Sequence, residues 1–486
     1  MSVRTRELVG LIPVSLLVSA GFAAVLLTRT EDVSDATATY GLVFLALCVF
    51  AHLFIRARLP DADPYLFPLA ALLAAFGLVV IYRIDAELAR EQAQWFVIGL
   101  AAFCATIAFL KDHHALERYR YTIAAAGIAL LMLPRVPGLG AKVIGTQAFL
   151  SVKIGPIQFQ PAEFAKIAII VFLASYLRDT GDVLVRARLR PMPYGRQALL
   201  FVVPAVTVLA LALALNAGSA VTVLAVIFTV SLAAVLRERP SLKHFGPLLL
   251  IWGLAMFMLL FIRDLGSSLM FFGGFLALLY VATARLSLVG VGATMFLGGA
   301  TYFANTVNHV QQRIAVWQNP FDRELYDSVG GSYQIAQSLF AQADGGLFGQ
   351  GFGQALLELP GGQNILPAAH TDLIYAVIAD ELGLFGAAGL ILTYLLFAGR
   401  GFKTALLSGD GFSKLLATGL TAVFSLQVFV IVGGVTKVIP LTGVTLPFVS
   451  YGGSSIVANM VLLALLLIVS NHARQDRGPL GQGGLV

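Results

Sequence analysis

The chain has 486 residues, of which 58% are hydrophobic and only 12% are charged. Soluble proteins carry roughly a quarter charged residues, so this composition excludes one large soluble core and indicates a protein embedded in lipid. The net charge of +6 does not indicate nucleic acid as a partner, because the basic residues lie in short loops between apolar runs.

The first apolar run, 8–28, follows two arginines and resembles a signal peptide in this pattern. It is long enough to span a membrane and further spans follow, so we expect a retained anchor. The only two cysteines, Cys48 and Cys104, both lie inside apolar runs. They are expected to be small core residues rather than a disulfide or a metal site.

The apolar runs predict an all-α fold, a polytopic transmembrane helical bundle with about fourteen spans. Their approximate limits are 8–28, 38–55, 65–82, 94–110, 121–136, 161–177, 197–215, 219–236, 246–262, 267–283, 286–304, 371–398, 413–433 and 446–470.

The basic residues predict the orientation. With the N-terminus in the cytoplasm, about two thirds of the 32 Lys and Arg fall inside, mostly in short loops, as the positive-inside rule requires. Both termini are then cytoplasmic. The one long loop, 305–370, is extracytoplasmic.

Ionisable residues within spans are costly, so each is a candidate functional residue. Gln160 precedes Pro161 at a helix start, and Glu163 and Lys166 lie three residues apart on one face of that helix. Two interpretations stay open for this pair: a self-neutralising ion pair, and a direct contact with substrate.

A second polar group, Arg263 and Asp264, lies at an outer mouth between two spans. The free N–H groups of a helix starting there favour an anion site, and Asp264 as a simple helix cap is the commoner explanation.

The long outer loop contains Arg313 and is rich in glycine near 330–331 and 345–353. Such glycines permit tight turns and close approach to a ligand, but they do not match a phosphate-binding loop between a strand and a helix. A flexible loop and a binding loop are equally compatible with this composition. Interleaved Phe and Leu residues favour segments lying in the membrane interface.

The fourth group, His370-Thr371-Asp372, runs directly into an apolar helix. We expect Thr371 to cap this helix and Asp372 to lie in its first turn. Glu381 then lies about 13 Å deeper, because a helix rises about 1.5 Å per residue. Asp372 and Glu381 therefore cannot act as one acid/base pair. On this pattern alone, Asp372 is a surface carboxylate that complements the helix dipole.

In this order, these groups resemble the SEDS family of peptidoglycan polymerases, which includes RodA and FtsW. The matching stretches are FQPAEFAKIAIIVFLASYL at 159–177, RDLGSSL at 263–269, GGSYQIAQSLFAQADGGLFGQGFG at 330–353, LPAAHTDLIYAVIADELGLFG at 366–386 and IPLTGVTLPFVSYGGSS at 439–455. The additional N-terminal spans and the DLGSS form are more similar to RodA.

The resemblance implies a glycosyltransferase that joins lipid II units outside the cytoplasmic membrane and hands the strand to a class B penicillin-binding protein. It assigns the essential aspartate to Asp372, as general base for one inverting displacement of polyprenyl diphosphate. Arg313 is the first candidate to stabilise the leaving diphosphate, and a divalent cation, Mg²⁺ or Mn²⁺, could share that task. The substrate-binding residues predicted with it are Arg313, Lys437, Glu163, Lys166, Gln160, His370, Gln334 and Ser450.

The chain departs from the family pattern at several places. Ala368 stands where the family often has Glu, and Gln147-Ala148-Phe149 replaces an Arg-Trp pair. The family core has about ten spans. We therefore expect extra N-terminal helices at 1–60, a core domain at 61–486 and an inserted pair at 197–236.

Two rival functions remain open on the sequence. A lipid II flippase or proton-coupled carrier would also have many spans and buried charges, but no inverted repeat is visible. A non-catalytic scaffold would have no need for Asp372 beside a glycine-rich loop.

Overall fold

A computed structural model describes residues 3–28, 35–136, 139–142, 149–154, 157–185, 194–214, 219–238, 253, 265–328, 331–359 and 363–476. Its helices are α1 (Val3–Thr28), α2 (Asp35–Arg58), α3 (Leu66–Ile84), α4 (Ala86–Phe109), α5 (His114–Arg118), α6 (Arg120–Met132), α7 (Ala162–Val185), α8 (Tyr194–Ala214), α9 (Ser219–Glu238), α10 (Leu265–Thr283), α11 (Leu286–Thr306), α12 (Asn308–Gln318), α13 (Arg323–Tyr326), α14 (Tyr333–Gly345), α15 (Ile374–Leu407), α16 (Gly411–Val435) and α17 (Gly453–Gln475).

The predicted helical bundle is confirmed. Within the described residues, eight helices are long and apolar enough to cross a membrane: α1 to α4, α10, α15, α16 and α17. Every predicted span overlaps a helix except 246–262, of which the structure describes only residue 253. The last span, predicted from 446, begins too early, because α17 starts only at Gly453. The helix at the predicted span 121–136 is shorter than expected. It ends at Met132 after 13 residues, about 20 Å of rise against a hydrocarbon core of about 30 Å.

The centre of the bundle is formed by α16 and α17. In their most apolar windows, 78% and 89% of the residues are buried inside the protein, against 28% for α1. The largest side chains that are fully buried include Phe397, Phe412, Phe424 and Phe448. α1 packs on α2 and α3, and α9 packs on α8 and α11. The division into 1–60 and 61–486 stays a prediction.

Two small antiparallel sheets accompany the helices. β1 (Gly140–Lys142), β2 (Phe149–Ile154) and β3 (Ile157–Phe159) form one sheet, and β4 (Glu358–Leu359) pairs with β5 (Gln363–Asn364) in the other. Neither sheet was predicted. The long loop 305–370 is structured over much of its length, since it contains α12, α13, α14 and the second sheet.

The glycine-rich loop packs against a break in α15. Gly383 has φ 64° and interrupts the helix. The carbonyls of Asp380 and Glu381, which lose their helical donors at this break, accept hydrogen bonds from the backbone N–H groups of Gln350 and Gly351, at 2.9 and 3.1 Å. In return, the N–H of Leu384 donates to the Gly346 carbonyl at 2.9 Å. The loop thus completes the backbone hydrogen bonding of the broken helix.

The chain between α16 and α17, residues 436–452, has no regular secondary structure, and its stretch 444–450 is mostly buried within the bundle. We call it the central segment. A Cβ added at Gly77 on α3 would lie 2.5 Å from the Val449 carbonyl oxygen, and one at Gly266 on α10 would lie 2.0 Å from Val444 Cγ2. Irregular backbone is tolerated at membrane depth only where protein covers it. The glycines allow α3 and α10 to approach the central segment closely enough to cover it.

Candidate active site

Asp372 lies in a turn that precedes α15. The turn is closed by hydrogen bonds to the carbonyl of Ala368, from the N–H groups of Thr371 and Leu373 at 3.0 and 3.2 Å. Ala368 has φ 56°, a strained conformation for a residue with a side chain. The helix begins only at Ile374, and the Thr371 hydroxyl donates back to Ala368. The prediction that Thr371 caps the helix, with Asp372 in its first turn, is therefore wrong.

The Asp372 carboxylate faces the central segment. A Cβ added at Gly443, where φ is 75°, would lie 3.3 Å from Asp372 Oδ2. Burial raises the pKa of Asp372 to about 6, against the opposing effects of the Arg313 charge and a Thr371 hydrogen bond. The carboxyl group is therefore ionised at neutral pH, but its proton affinity is close to that of an effective base.

Arg313 is held at this place by α12. Its Nη1 donates to the Leu441 carbonyl of the central segment at 2.6 Å. Its charge lies near enough to lower the pKa of Asp372. The two groups therefore present a basic oxygen and a fixed positive charge to the same region.

His370 and Ser450 join the turn to the central segment. Ser450 Oγ donates to the Thr371 carbonyl at 2.7 Å, and the N–H of Tyr451 donates to the His370 carbonyl at 2.8 Å. The rings of His370 and Tyr451 lie 5.7 Å apart, edge to face. Burial lowers the pKa of His370, so its ring is neutral at physiological pH. These contacts fix Asp372 relative to Gly443.

Two residues of α4 complete this framework and were missed by the sequence analysis. Gln92, which is 2% exposed, donates to the Ser450 carbonyl at 3.0 Å and accepts from the Gly452 N–H at 3.2 Å. Glu91 accepts a hydrogen bond from the Tyr451 hydroxyl. The predicted span began at residue 94, so both polar residues were assigned to a loop.

Glu163 and Lys166 form a buried ion pair beneath the central segment. Lys166 Nζ donates to Glu163 at 2.6 Å and to Gln427 Oε1 at 2.7 Å, and Gln427 Nε2 donates to the Thr445 carbonyl at 2.8 Å. The pair thus supports the segment through Gln427. Both interpretations of the pair remain compatible with this position.

The remaining predicted binding residues lie around this centre. The backbone N–H of Gln160 donates to Ser454 Oγ at 2.8 Å, at the start of α17. Lys437 has φ 62° and donates from Nζ to the Gln318 carbonyl at 3.4 Å. Gln334 is exposed on the first turn of α14, and no contact among the described residues joins it to Asp372. Arg263, Asp264, Gln147 and Ala148 lie outside the described residues.

Glu381 lies two residues before the helix break at Gly383, at the other end of the first segment of α15 from Asp372. Its carboxylate pairs with Arg83 of α3 at 3.0 Å, and Arg83 also donates to the Ala355 carbonyl at 2.9 Å. This arrangement agrees with the expectation that Glu381 is no partner of Asp372 in one acid/base pair. The Glu381–Arg83 pair instead ties the glycine-rich loop to α3, through the bond from Arg83 to the Ala355 carbonyl.

Among the described residues, Asp372 belongs to no group of three or more His, Cys, Asp or Glu side chains that could share a metal ion. Within the described part of the chain, the one group of three or more His, Cys, Asp or Glu close enough to share an ion is Asp112, His113 and His114. Asp372 instead lies beside a guanidinium group, which competes with a cation for the same carboxylate. The proposal below therefore assigns no protein-held metal ion to Asp372.

Comparison with known proteins places the chain in a family. The family model of the FtsW/RodA/SpoVE cell cycle proteins matches residues 64–239 and 224–475. The chain belongs to this family. Peptidoglycan glycosyltransferase RodA of Mycobacterium tuberculosis (strain ATCC 25618 / H37Rv) is 35% identical over 483 residues, which cover 97% of this chain and 91% of that protein. The suspected SEDS resemblance is thereby confirmed.

Within the family, the chain is RodA-like. Probable peptidoglycan glycosyltransferase FtsW of Geobacter sp. (strain M18) is 26% identical over 427 residues, covering 86% of this chain and 99% of that protein. This identity is lower than that to RodA. A chain from a solved peptidoglycan synthase complex has the same fold, with a TM-score of 0.59 at 24% identity, covering 85% of this chain and 99% of that one.

Proposed function

We propose that this protein polymerises lipid II into glycan strands at the outer face of the cytoplasmic membrane. Its enzyme class follows from its family and from its identity to RodA: the chain is a peptidoglycan glycosyltransferase of cell-wall synthesis. The substrate, the mechanism and the active face belong to the proposal. One observation carries it, the placement of a carboxylate with raised pKa beside Arg313 and the central segment.

Asp372 acts as general base. The acceptor sugar hydroxyl attacks the anomeric carbon of the donor, the bond from that carbon to the diphosphate oxygen breaks, and Asp372 takes the hydroxyl proton. One such displacement converts an α-linked donor into a β-linked product. A base with a pKa of about 6 is largely ionised at pH 7 and still binds a proton usefully in the transition state.

Arg313 stabilises the negative charge that develops on the leaving diphosphate. Its Nη1 bond to the Leu441 carbonyl holds the guanidinium in place before the reaction, so little reorganisation is needed when the charge appears. Lys437 lies in the same central segment and is the second candidate for the diphosphate. A divalent cation, Mg²⁺ or Mn²⁺, would be brought by the diphosphate itself, since Mg²⁺ often binds substrate phosphates with few protein ligands.

The surrounding polar residues orient the reactants. His370 and Ser450 are proposed to contact the sugar or diphosphate from the turn and the central segment, and Gln160 from the start of α7. Gln334 contacts the extended acceptor strand from its exposed position on α14. Glu163 and Lys166 support the central segment through Gln427.

The membrane orientation is supported by the ends of the helices. Arg4 and Arg474 both donate to the Ala62 carbonyl, so the two chain ends reach the same end of the bundle. Arg400 and Arg474 both pair with Asp63 there. Under the positive-inside rule this end is cytoplasmic, and Asp372, at the opposite end of α15, faces the outside.

A class B penicillin-binding protein is the proposed partner that crosslinks the product, and cell elongation is the proposed role, by analogy with the RodA relatives.

Proteoliposomes test the proposal against the flippase alternative. Wild type is reconstituted with purified lipid II, with and without a class B penicillin-binding protein, and both strand length and lipid II translocation are measured. Polymer formed from externally added lipid II supports the proposal. Translocation of lipid II without any polymer, with the partner present, would establish a flippase instead.

A further inference from the structure

A cluster of histidines lies at the end of the bundle opposite Asp372. A cavity of about 320 Å³ is lined there by Asp112, His113, His114, Asp410, Ser413 and His472. We call it the histidine pocket. Helices α4, α15 and α17 carry or adjoin active-site residues at their other ends, namely Gln92, Asp372 and Gly452, and each helix ends at this pocket. No step of the proposed mechanism uses it.

Three side chains of the pocket have the spacing of metal ligands. Asp112, His113 and His114 each offer one ligand atom, and these atoms all lie within 4.8 Å of one another. Ligand atoms around a tetrahedral Zn²⁺ are separated by about 3.3 Å, given bond lengths of about 2.0–2.2 Å. Rotations of exposed side chains can close this difference, since the side chains of Asp112 and His114 are 62% and 41% exposed.

His113 supplies the observation that points to a ligand. Its side chain is 1% exposed, and its Nδ1 has no hydrogen-bond partner, although a buried polar nitrogen without a partner is unfavourable. Its Nε2 is engaged by Ser413 Oγ at 2.5 Å. A metal-bound histidine characteristically uses its second ring nitrogen in this way, which fixes the orientation of the first.

His472 offers a fourth donor. Its Nδ1 lies 2.9 Å from the Ile468 carbonyl, so the N–H is on Nδ1 and Nε2 retains a free lone pair. Its ring centroid lies 5.0 Å from that of His113. Asp410 Oδ2 lies 3.9 Å from His114 Nε2, on the opposite wall.

Helix capping explains only part of this arrangement. Asp410 accepts from the Ser413 N–H at the start of α16, and Asp112 accepts from the His114 N–H, both at 2.9 Å. Capping gives both carboxylates a structural role. It leaves the unpartnered nitrogen of His113 and the packing of three imidazoles around one cavity without a cause.

We propose that the histidine pocket binds one divalent transition-metal ion of the Zn²⁺ type, held by Asp112, His113 Nδ1 and His114, with His472 Nε2 as the fourth ligand. Nitrogen donors from imidazole select Zn²⁺, Co²⁺ and Ni²⁺ over Mg²⁺ and Ca²⁺. The ion links the loop after α4 to the end of α17, so it fixes the distant ends of two helices that position the central segment.

The test uses the full chain in detergent, without a polyhistidine tag and stripped with a chelator. Zn²⁺ content is measured by mass spectrometry after dialysis, and Co²⁺ binding is followed by visible absorption. The expected result is one equivalent of Zn²⁺, an intense four-coordinate Co²⁺ spectrum and no displacement by Mg²⁺. A wild type that retains no Zn²⁺ and gives no such Co²⁺ spectrum overturns the proposal.

Variants assign the ligands. His113→Ala and Asp112→Asn should each weaken Zn²⁺ binding by at least about tenfold, the effect of losing even an outer contact at a metal site. Asp112 is exposed, so its variant is expected to fold even if the His113 variant does not. Asp61→Asn, at the same end of the bundle but outside the pocket, is the matched control. Unchanged affinity in the Asp112 variant overturns the assignment.

Discussion

The pH dependence of glycan polymerisation should reveal the coupling between Arg313 and Asp372. Burial raises the pKa of Asp372 to about 6 even though the Arg313 charge opposes that shift. Replacing Arg313 by Gln removes the opposing charge, so the pKa of Asp372 should rise further. Since the proposed base acts only when ionised, the acidic limb of the rate profile should move to higher pH.

The size of this shift follows from electrostatics. An opposite charge within about 4–6 Å typically lowers a carboxyl pKa by about 1–3 units, so Arg313→Gln should raise the pKa of Asp372 by about 1 unit. Wild type should then show half its maximal rate near pH 6. The Arg313→Gln variant should show about a tenth of its own maximum at that pH. Its plateau should also fall by about 10²–10³, because the leaving diphosphate loses one positively charged donor.

The assay is the initial rate of strand formation from pH 5 to 8.5, with saturating lipid II. Arg313→Lys is the matched control, because it keeps the charge while losing the geometry of the Leu441 bond. Its acidic limb should stay near that of wild type. If Arg313→Gln lowers the plateau without moving the limb, either Asp372 is not the titrating base or the arginine does not act on it.

Four further outcomes follow from the structure. Asp372→Asn should raise thermal stability by up to about 3 kcal/mol near neutral pH, because about two pKa units at about 1.4 kcal/mol each disfavour the ionised carboxylate. The folded-state pKa is raised, so this advantage should be absent at pH 4 and complete above pH 6; equal melting temperatures at pH 8 would contradict it. Lys166→Met should cost about 3–5 kcal/mol by stranding Glu163, and adding Glu163→Gln should recover most of the loss in a denaturation assay. Gly349→Ala should abolish strand formation, because its Cβ would lie 2.1 Å from a backbone carbonyl at φ 84°, whereas Gly389→Ala, with open space around it, should be near wild type. EDTA should slow polymerisation only if the diphosphate carries a divalent cation. Recovery of the rate when Mg²⁺ or Mn²⁺ is added would show that such a cation takes part.

The helices were predictable because hydropathy alone determines which segments cross lipid. Every predicted span in the described residues overlaps a helix, and the long loop was placed correctly between α11 and α15. The short sheets were not predictable in this way. β2 and β3 lie in a short stretch before α7, where no long apolar run marks a boundary.

The site was only partly predictable. His370 and Ser450 could be proposed because they lie in recognisable motifs, and Arg313 because it is a basic residue of the outer loop. The structure brings His370 and Arg313 to the central segment, which contains Ser450. Gln92 could not, because its importance depends on a contact with Ser450, 358 residues away. The start of α15 was predicted too early, since the turn at Ala368 depends on a positive φ that the local sequence does not indicate.

The most direct test of this account is the rate of glycan-strand formation by Asp372→Asn compared with wild type, using purified lipid II and a class B penicillin-binding protein. Asp327→Asn, an exposed aspartate in the same outer loop, is the matched control. Loss of a general base should slow the Asp372 variant by about 10²–10⁴, while the control keeps the wild-type rate. A variant at Asp372 that polymerises within a few-fold of wild type would contradict the account.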